Sequence, residues 1–144
     1  MKLGICLLRG VAFASLLAAG GIGVARAADD KPPYVVKNGN EVDMTTYKGF
    51  LYYGDECLRC HGPDGMGSSY APNLTEALKT IDKTKFETIV MSGIKQVSNS
   101  SDLVMPAFGT NPDVVDNLES IYAYLKARSD GVLNRGHPHH LPGT

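Results

Sequence analysis

The chain has 144 residues, 43% apolar and 20% charged, and a formal charge of −1. Such a length holds no more than one ordinary domain, and the composition is that of a globular protein, which excludes a disordered or fibrous chain. No long basic run marks a nucleic-acid surface.

The first stretch reads as an address. Lys2 and Arg9 supply positive charge, Gly10 to Val24 is almost wholly apolar and small, and Ala25-Arg26-Ala27 has the small-residue spacing that a signal peptidase reads. Residues 1–27 are therefore expected to be a signal peptide, cut after Ala27, on a chain exported to the periplasm. The apolar run is short of the roughly 20 residues that a bilayer needs, so no stable membrane insertion is expected after cleavage. Cys6 lies inside this segment and no cysteine follows the run, which argues against a lipoprotein. Cleavage takes Lys2, Arg9 and Arg26 with it and leaves 11 basic against 15 acidic residues, a mildly acidic mature chain.

Residues 28–45 are polar, with Pro32-Pro33 and Asn38-Gly39-Asn40, and read as an N-terminal arm containing a turn. Thr46 is placed to cap a first helix that runs from Tyr47 into Cys57-Leu58-Arg59-Cys60-His61. Cys-x-x-Cys-His is the attachment pattern of c-type haem. Two intervening residues let one helical turn present both sulfurs to the two vinyl groups along one ring edge, and the next histidine points its imidazole at the iron. A thioredoxin-like pair would follow a strand in a βαβ unit, which is not visible here. A zinc site would need a second ligand pair, and the remaining histidines are in the tail.

A loop, residues 62–73, follows the motif. A short helix is expected around Thr75 to Thr80, and another from about Lys83 to Ser92 with Phe86, Ile89 and Val90 on one face and Gly93 as its stop. Met91 reads as core, Met66 lies in the glycine-rich loop and Met44 precedes the attachment helix. The polar residues 95–102 form a loop leading to Val104-Met105-Pro106-Ala107-Phe108-Gly109, where Pro106 stiffens the chain and Gly109 lets it turn. Met105 is the candidate for the second axial ligand of the haem iron. An open distal side, with Met105 uncoordinated, would instead suit a peroxidase or a gas binder.

Asn111 and Pro112 open the last helix, whose apolar stripe is Val114, Leu118, Ile121, Tyr122 and Leu125. Lys126 and Arg128 suit its C-terminal end, and Gly131 lies just beyond. The tail, residues 132–144, carries His137-Pro138-His139-His140. Three histidines in four residues could bind copper or zinc, but a flexible, solvated end is the simpler expectation. No segment alternates convincingly with period 2. The fold class is all-α, helices packed around one covalent haem, whose large apolar plate supplements a small core.

Residues 46–131 resemble the class I cytochrome c domain. Gly49 and Tyr53 stand eight and four positions before Cys57, matching that family's Gly-x-x-x-aromatic pattern. By the resemblance they pack against the last helix at Ile121, Tyr124 and Leu125. Ala71-Pro72-Asn73-Leu74 is similar to the family's Pro-Asn-Leu segment, which implies that the Pro72 carbonyl accepts the Nδ1 proton of His61. Met105-Pro106 matches the distal ligand segment. The stretches Tyr47-Lys48-Gly49-Phe50, His61-Gly62-Pro63-Asp64-Gly65, Val104 to Gly109 and Ile121 to Gly131 further resemble bacterial cytochromes of the c-550 and methanol-metabolism type. Relatives of that group often carry a further cysteine near the start of the last helix, where this chain reads Pro112-Asp113-Val114-Val115-Asp116-Asn117. The resemblance implies an electron carrier and not an enzyme. Its donor would be a quinoprotein alcohol dehydrogenase that uses pyrroloquinoline quinone (PQQ). Its acceptor would be a cytochrome or terminal oxidase of the respiratory chain.

Overall fold

The computed structural model describes residues 31–98 and 101–144; the expected signal peptide, residues 1–27, lies outside them. The described chain is mostly helical, with small strand pairings at two places. It opens on a tight antiparallel turn, β1 (Val36–Lys37) against β2 (Glu41–Val42). Asn38 and Gly39 form the bend, both with positive φ. Helix α1 follows (Met44–Glu56). It starts earlier than Thr46 suggested: its N-cap is Asp43, whose Oδ1 accepts from the Thr46 hydroxyl and from the Val35 amide.

Helix α1 does not run unbroken through the motif. It ends at Cys57, and a separate turn, α2 (Leu58–His61), carries the second cysteine and the histidine. The short helix α3 (Leu74–Ala77) is capped by Asn73, whose Oδ1 accepts from the amides of Thr75 and Glu76. Helix α4 (Lys83–Ser92) is capped by Asp82 and stops at Gly93, at the expected limits. It buries Phe86 and Val90, while Met91 is only half-buried.

The stretch read as a loop before Met105 is instead an antiparallel hairpin, β3 (Ile94–Ser98) with β4 (Ser101–Met105), so that Met105 ends a strand. The last helix is also divided. Asn111 and Pro112 open α5 (Pro112–Val115), and α6 (Leu118–Ser129) begins after a break at Asp116 and Asn117. Helix α6 is more than a stripe: Ile121 to Leu125 and Ala127 to Ser129 are all buried, which makes it the central helix of the molecule.

Helices α1 and α6 cross at Gly49. A Cβ there would overlap the Ser120 carbonyl and press on Tyr124 Cβ, so only glycine lets the two backbones approach this closely. Around the crossing, the rings of Phe50 and Tyr53 lie 5.6 and 5.4 Å from that of Tyr124. Tyr53, Tyr124, Ile121 and Leu125 are each 1% exposed. Burial of aliphatic side chains such as Ile121 and Leu125 is worth about 1.5–3 kcal/mol apiece.

The C-terminal segment, expected to be flexible, is packed on the domain. β5 (His139–His140) pairs in parallel with β2, and Leu133, Pro138 and Leu141 are buried. The His137 ring stands edge-on to Phe50 at 4.7 Å. Arg135 Nε and the Gly136 amide both donate to the Asp64 carboxylate, at 3.1 and 2.9 Å. Among the described residues no group of three or more histidine, cysteine, aspartate or glutamate side chains is placed to hold a metal ion. No helix among them is long and apolar enough to cross a membrane.

Candidate haem-binding site

An apolar cavity of about 360 Å³ opens beside the Cys-x-x-Cys-His turn. Its floor comes from α6 through Ile121 and Leu125. One wall comes from α3 and the turn after it, through Leu74, Ala77 and Ile81. The other comes from α4 and the hairpin, through Phe86, Ile89, Val90, Ile94, Val104 and Met105. Cys57, His61, Tyr70, Ala71 and Pro72 complete the lining. The volume falls within the range of about 300–1,000 Å³ usual for cofactor sites.

The polar groups around this space are few and directed. His61 is buried, and its Nδ1 lies 3.1 Å from the Pro72 carbonyl oxygen. A carbonyl can only accept, so Nδ1 carries the proton and Nε2 keeps its lone pair. The same peptide region is braced again: the Gly67 amide donates to the His61 carbonyl at 2.7 Å, and the Ser68 hydroxyl donates to the Cys60 carbonyl. Tyr53, buried on α1, donates its hydroxyl to the Gly62 carbonyl. Burial above all, then the nearby Tyr124, drives the Tyr53 phenol far above its ordinary value, so it remains a donor.

The two cysteines differ. Cys60 is exposed, whereas Cys57 sits at the cavity edge. Burial, followed by the neighbouring Glu56 carboxylate and Cys60, pushes the Cys57 thiol up to about 12. The other methionines stand apart: Met44 and Met66 are 38% and 42% exposed, and neither lines the cavity.

The structure thus brings Cys57, His61, Pro72 and Met105 to one apolar space, while Cys60, exposed on α2, is not part of its lining. Several wall residues had not been singled out from the sequence. Leu74, Ala77 and Ile81 recur at spacings of three and four, a helical signal that was there to be read. Ile94 gave no such signal, since the pairing with β4 places it. Tyr70, 79% exposed, lies at the mouth.

A family model described as cytochrome C oxidase, cbb3-type, subunit III matches residues 45–125, and the chain belongs to this family of c-type cytochromes. Its cofactor is covalently bound haem c, with one attachment motif in Cys57-Leu58-Arg59-Cys60-His61. An open-mouthed apolar cavity bordered by that motif fits the group. Cytochrome c-553I of Paracoccus denitrificans is 46% identical over 111 residues, 77% of this chain but 49% of the relative, so the chain spans about half of that protein. Cytochrome c-555 of Methylococcus capsulatus is 38% identical over 96 residues, 66% of this chain and 72% of the relative. The solved c-type cytochrome XoxG from Methylobacterium extorquens AM1 superposes with a TM-score of 0.66 at 35% identity, covering 79% of this chain and 76% of that one.

Proposed function

We propose that this chain is a periplasmic monohaem cytochrome that accepts single electrons from a PQQ-dependent alcohol dehydrogenase and passes them to a cytochrome or terminal oxidase of the respiratory chain. The bound haem supplies the chemistry, an iron that gains and loses one electron. Cys57 and Cys60 would hold it as thioethers, and His61 Nε2 and Met105 Sδ would hold its iron. The Pro72 carbonyl fixes the His61 ring and makes it a better donor. The Met105 thioether would favour the reduced state and raise the potential. The apolar walls exclude water and push the same way.

The observation that carries this reading is the placement of His61 and Met105 on one apolar cavity beside Cys57, with His61 Nδ1 committed to a carbonyl. The dehydrogenase donor is supported by the sequence resemblance set out above and by likeness to XoxG. The test mixes the purified, secreted cytochrome with quinoprotein alcohol dehydrogenases and follows the haem α-band. Reduction that requires both enzyme and alcohol is expected. A cytochrome that stays oxidised with every such enzyme, yet is reduced by small-molecule donors, would remove the proposed partner.

A further inference from the structure

Met105 closes β4, and the outermost rung of the hairpin pairs it with Ile94. The residue before Ile94 is Gly93, which ends α4 with φ +72° and ψ −178°. A Cβ on Gly93 would lie 2.6 Å from the Met105 carbonyl oxygen, 2.8 Å from the Ala107 nitrogen and 2.9 Å from the Pro106 carbonyl carbon. All three are backbone atoms of the segment that carries Met105, so no change of rotamer relieves the overlap. The same segment is tied to the end of α4 by two further backbone bonds. The Phe108 amide donates to the Val90 carbonyl at 3.0 Å, and the Gly109 amide to the Met91 carbonyl at 3.1 Å.

We infer that Gly93 is a positioning residue for Met105. The C-terminal end of α4, bare of side chain at Gly93, is the seat on which residues 105–109 rest, and the height of that seat sets where the thioether enters the cavity. The inference rests on Met105 being the distal ligand, as proposed above. The other attachments lie elsewhere: Cys57, Cys60 and His61 are held by α1 and α2. A side chain at Gly93 therefore lifts the distal ligand and leaves the covalent anchorage in place.

Gly131 provides the control. Its φ is +73°, matching that of Gly93, but a Cβ there would meet nothing within 4 Å. Gly93→Ala and Gly131→Ala thus both place a side chain on a residue of positive φ, and only the first pushes on the Met105 segment. The experiment compares full-length secreted holoprotein for wild type, Met105→Ala, Gly93→Ala, Gly109→Ala and Gly131→Ala. It reads the charge-transfer band of methionine-ligated ferric haem, the reduction potential, imidazole affinity, haem mass and far-UV circular dichroism.

Gly93→Ala is expected to keep its covalent haem and helix content, to lose the band and to shift its potential downward. Imidazole should bind it roughly tenfold more tightly than wild type, because the competing thioether is more often away. Gly131→Ala should retain the wild-type band. A band present in wild type and absent in Met105→Ala, but undiminished in Gly93→Ala, overturns the inference while leaving the ligand assignment standing. Equal loss in Gly131→Ala overturns it too, since strain alone would then suffice. A wild type without the band removes the ligand and the inference together. If Gly93→Ala does not accumulate, Gly109→Ala decides. A Cβ at Gly109 would stand 2.9 Å from the Met91 carbonyl oxygen, with no positive φ involved. A weakened band there supports the seat, and a wild-type band overturns it.

Discussion

Tyr53 does two things with one side chain. Its ring fills the gap between α1 and α6, and its hydroxyl reaches the Gly62 carbonyl just past the haem motif. Tyr53→Phe keeps the ring and leaves that buried carbonyl without its donor. The expected cost is about 1–3 kcal/mol, read as a lower guanidinium midpoint of the ferric holoprotein with the slope unchanged. Two other tyrosines give the stability curve its alkaline limit. Burial, then the Asp130 carboxylate that accepts its hydroxyl, raises Tyr34 to about 12. Burial likewise raises Tyr124 to about 12. Each proton is held more tightly in the folded chain than in the unfolded one, where the ordinary value is 10.0. The contribution is therefore complete below pH 10 and lost between about pH 10 and 12. Unfolding midpoints should fall across that window, and Tyr34→Phe should flatten part of the fall.

Among the elements, α3 shows how a small helix serves the site. Asn73 caps it through Oδ1, which accepts from the Thr75 amide at 2.8 Å and from the Thr75 hydroxyl at 2.7 Å. The residue before it is Pro72, whose carbonyl faces His61. Asn73→Ala should cost about 1 kcal/mol as a lost cap, measured by chemical denaturation, and should loosen the Pro72 carbonyl as well. The elements differ in how legible they were. Helix α4 was readable because Asp82, its apolar face and Gly93 supply start, stripe and stop within one local window. The β3–β4 hairpin was not, since its strands are held by pairing with each other and not by an alternating pattern. The two-residue strands β1, β2 and β5 are too short to alternate at all. The break between α5 and α6 escaped because the apolar positions Val114, Leu118 and Ile121 continue across it at helical spacing. At the site, Cys57, Cys60 and His61 are contiguous and so declare themselves. Met105 lies 44 positions beyond His61, and its place could be named only through its loop motif and a family likeness.

In the whole molecule, the C-terminal segment is the largest departure from expectation. It carries no periodic stripe, only the isolated residues Leu133, Pro138 and Leu141, each filling a gap that other elements create. Arg128, on α6, holds it from inside by donating to the Leu133 carbonyl at 2.5 Å. Arg135 ties it to Asp64 beside the haem motif. Removal of residues 132–144 should lower the unfolding free energy by several kcal/mol, since two buried leucines alone count for about 1.5–3 kcal/mol each. Thermal or guanidinium unfolding of the truncated holoprotein checks this. The covalent haem should remain, because none of its proposed attachments lies in that segment.

The α1–α6 crossing also has a bearing on timing. The backbone contact at Gly49 waits for Ser120, and the rung between β2 and β5 waits for His139 and His140. A polypeptide delivered N-terminus first, from a ribosome or across a membrane, cannot close this knot of distant partners until those residues have emerged. Until Ile121 and Leu125 have also emerged, the cavity beside Cys57 and His61 lacks the face that α6 gives it.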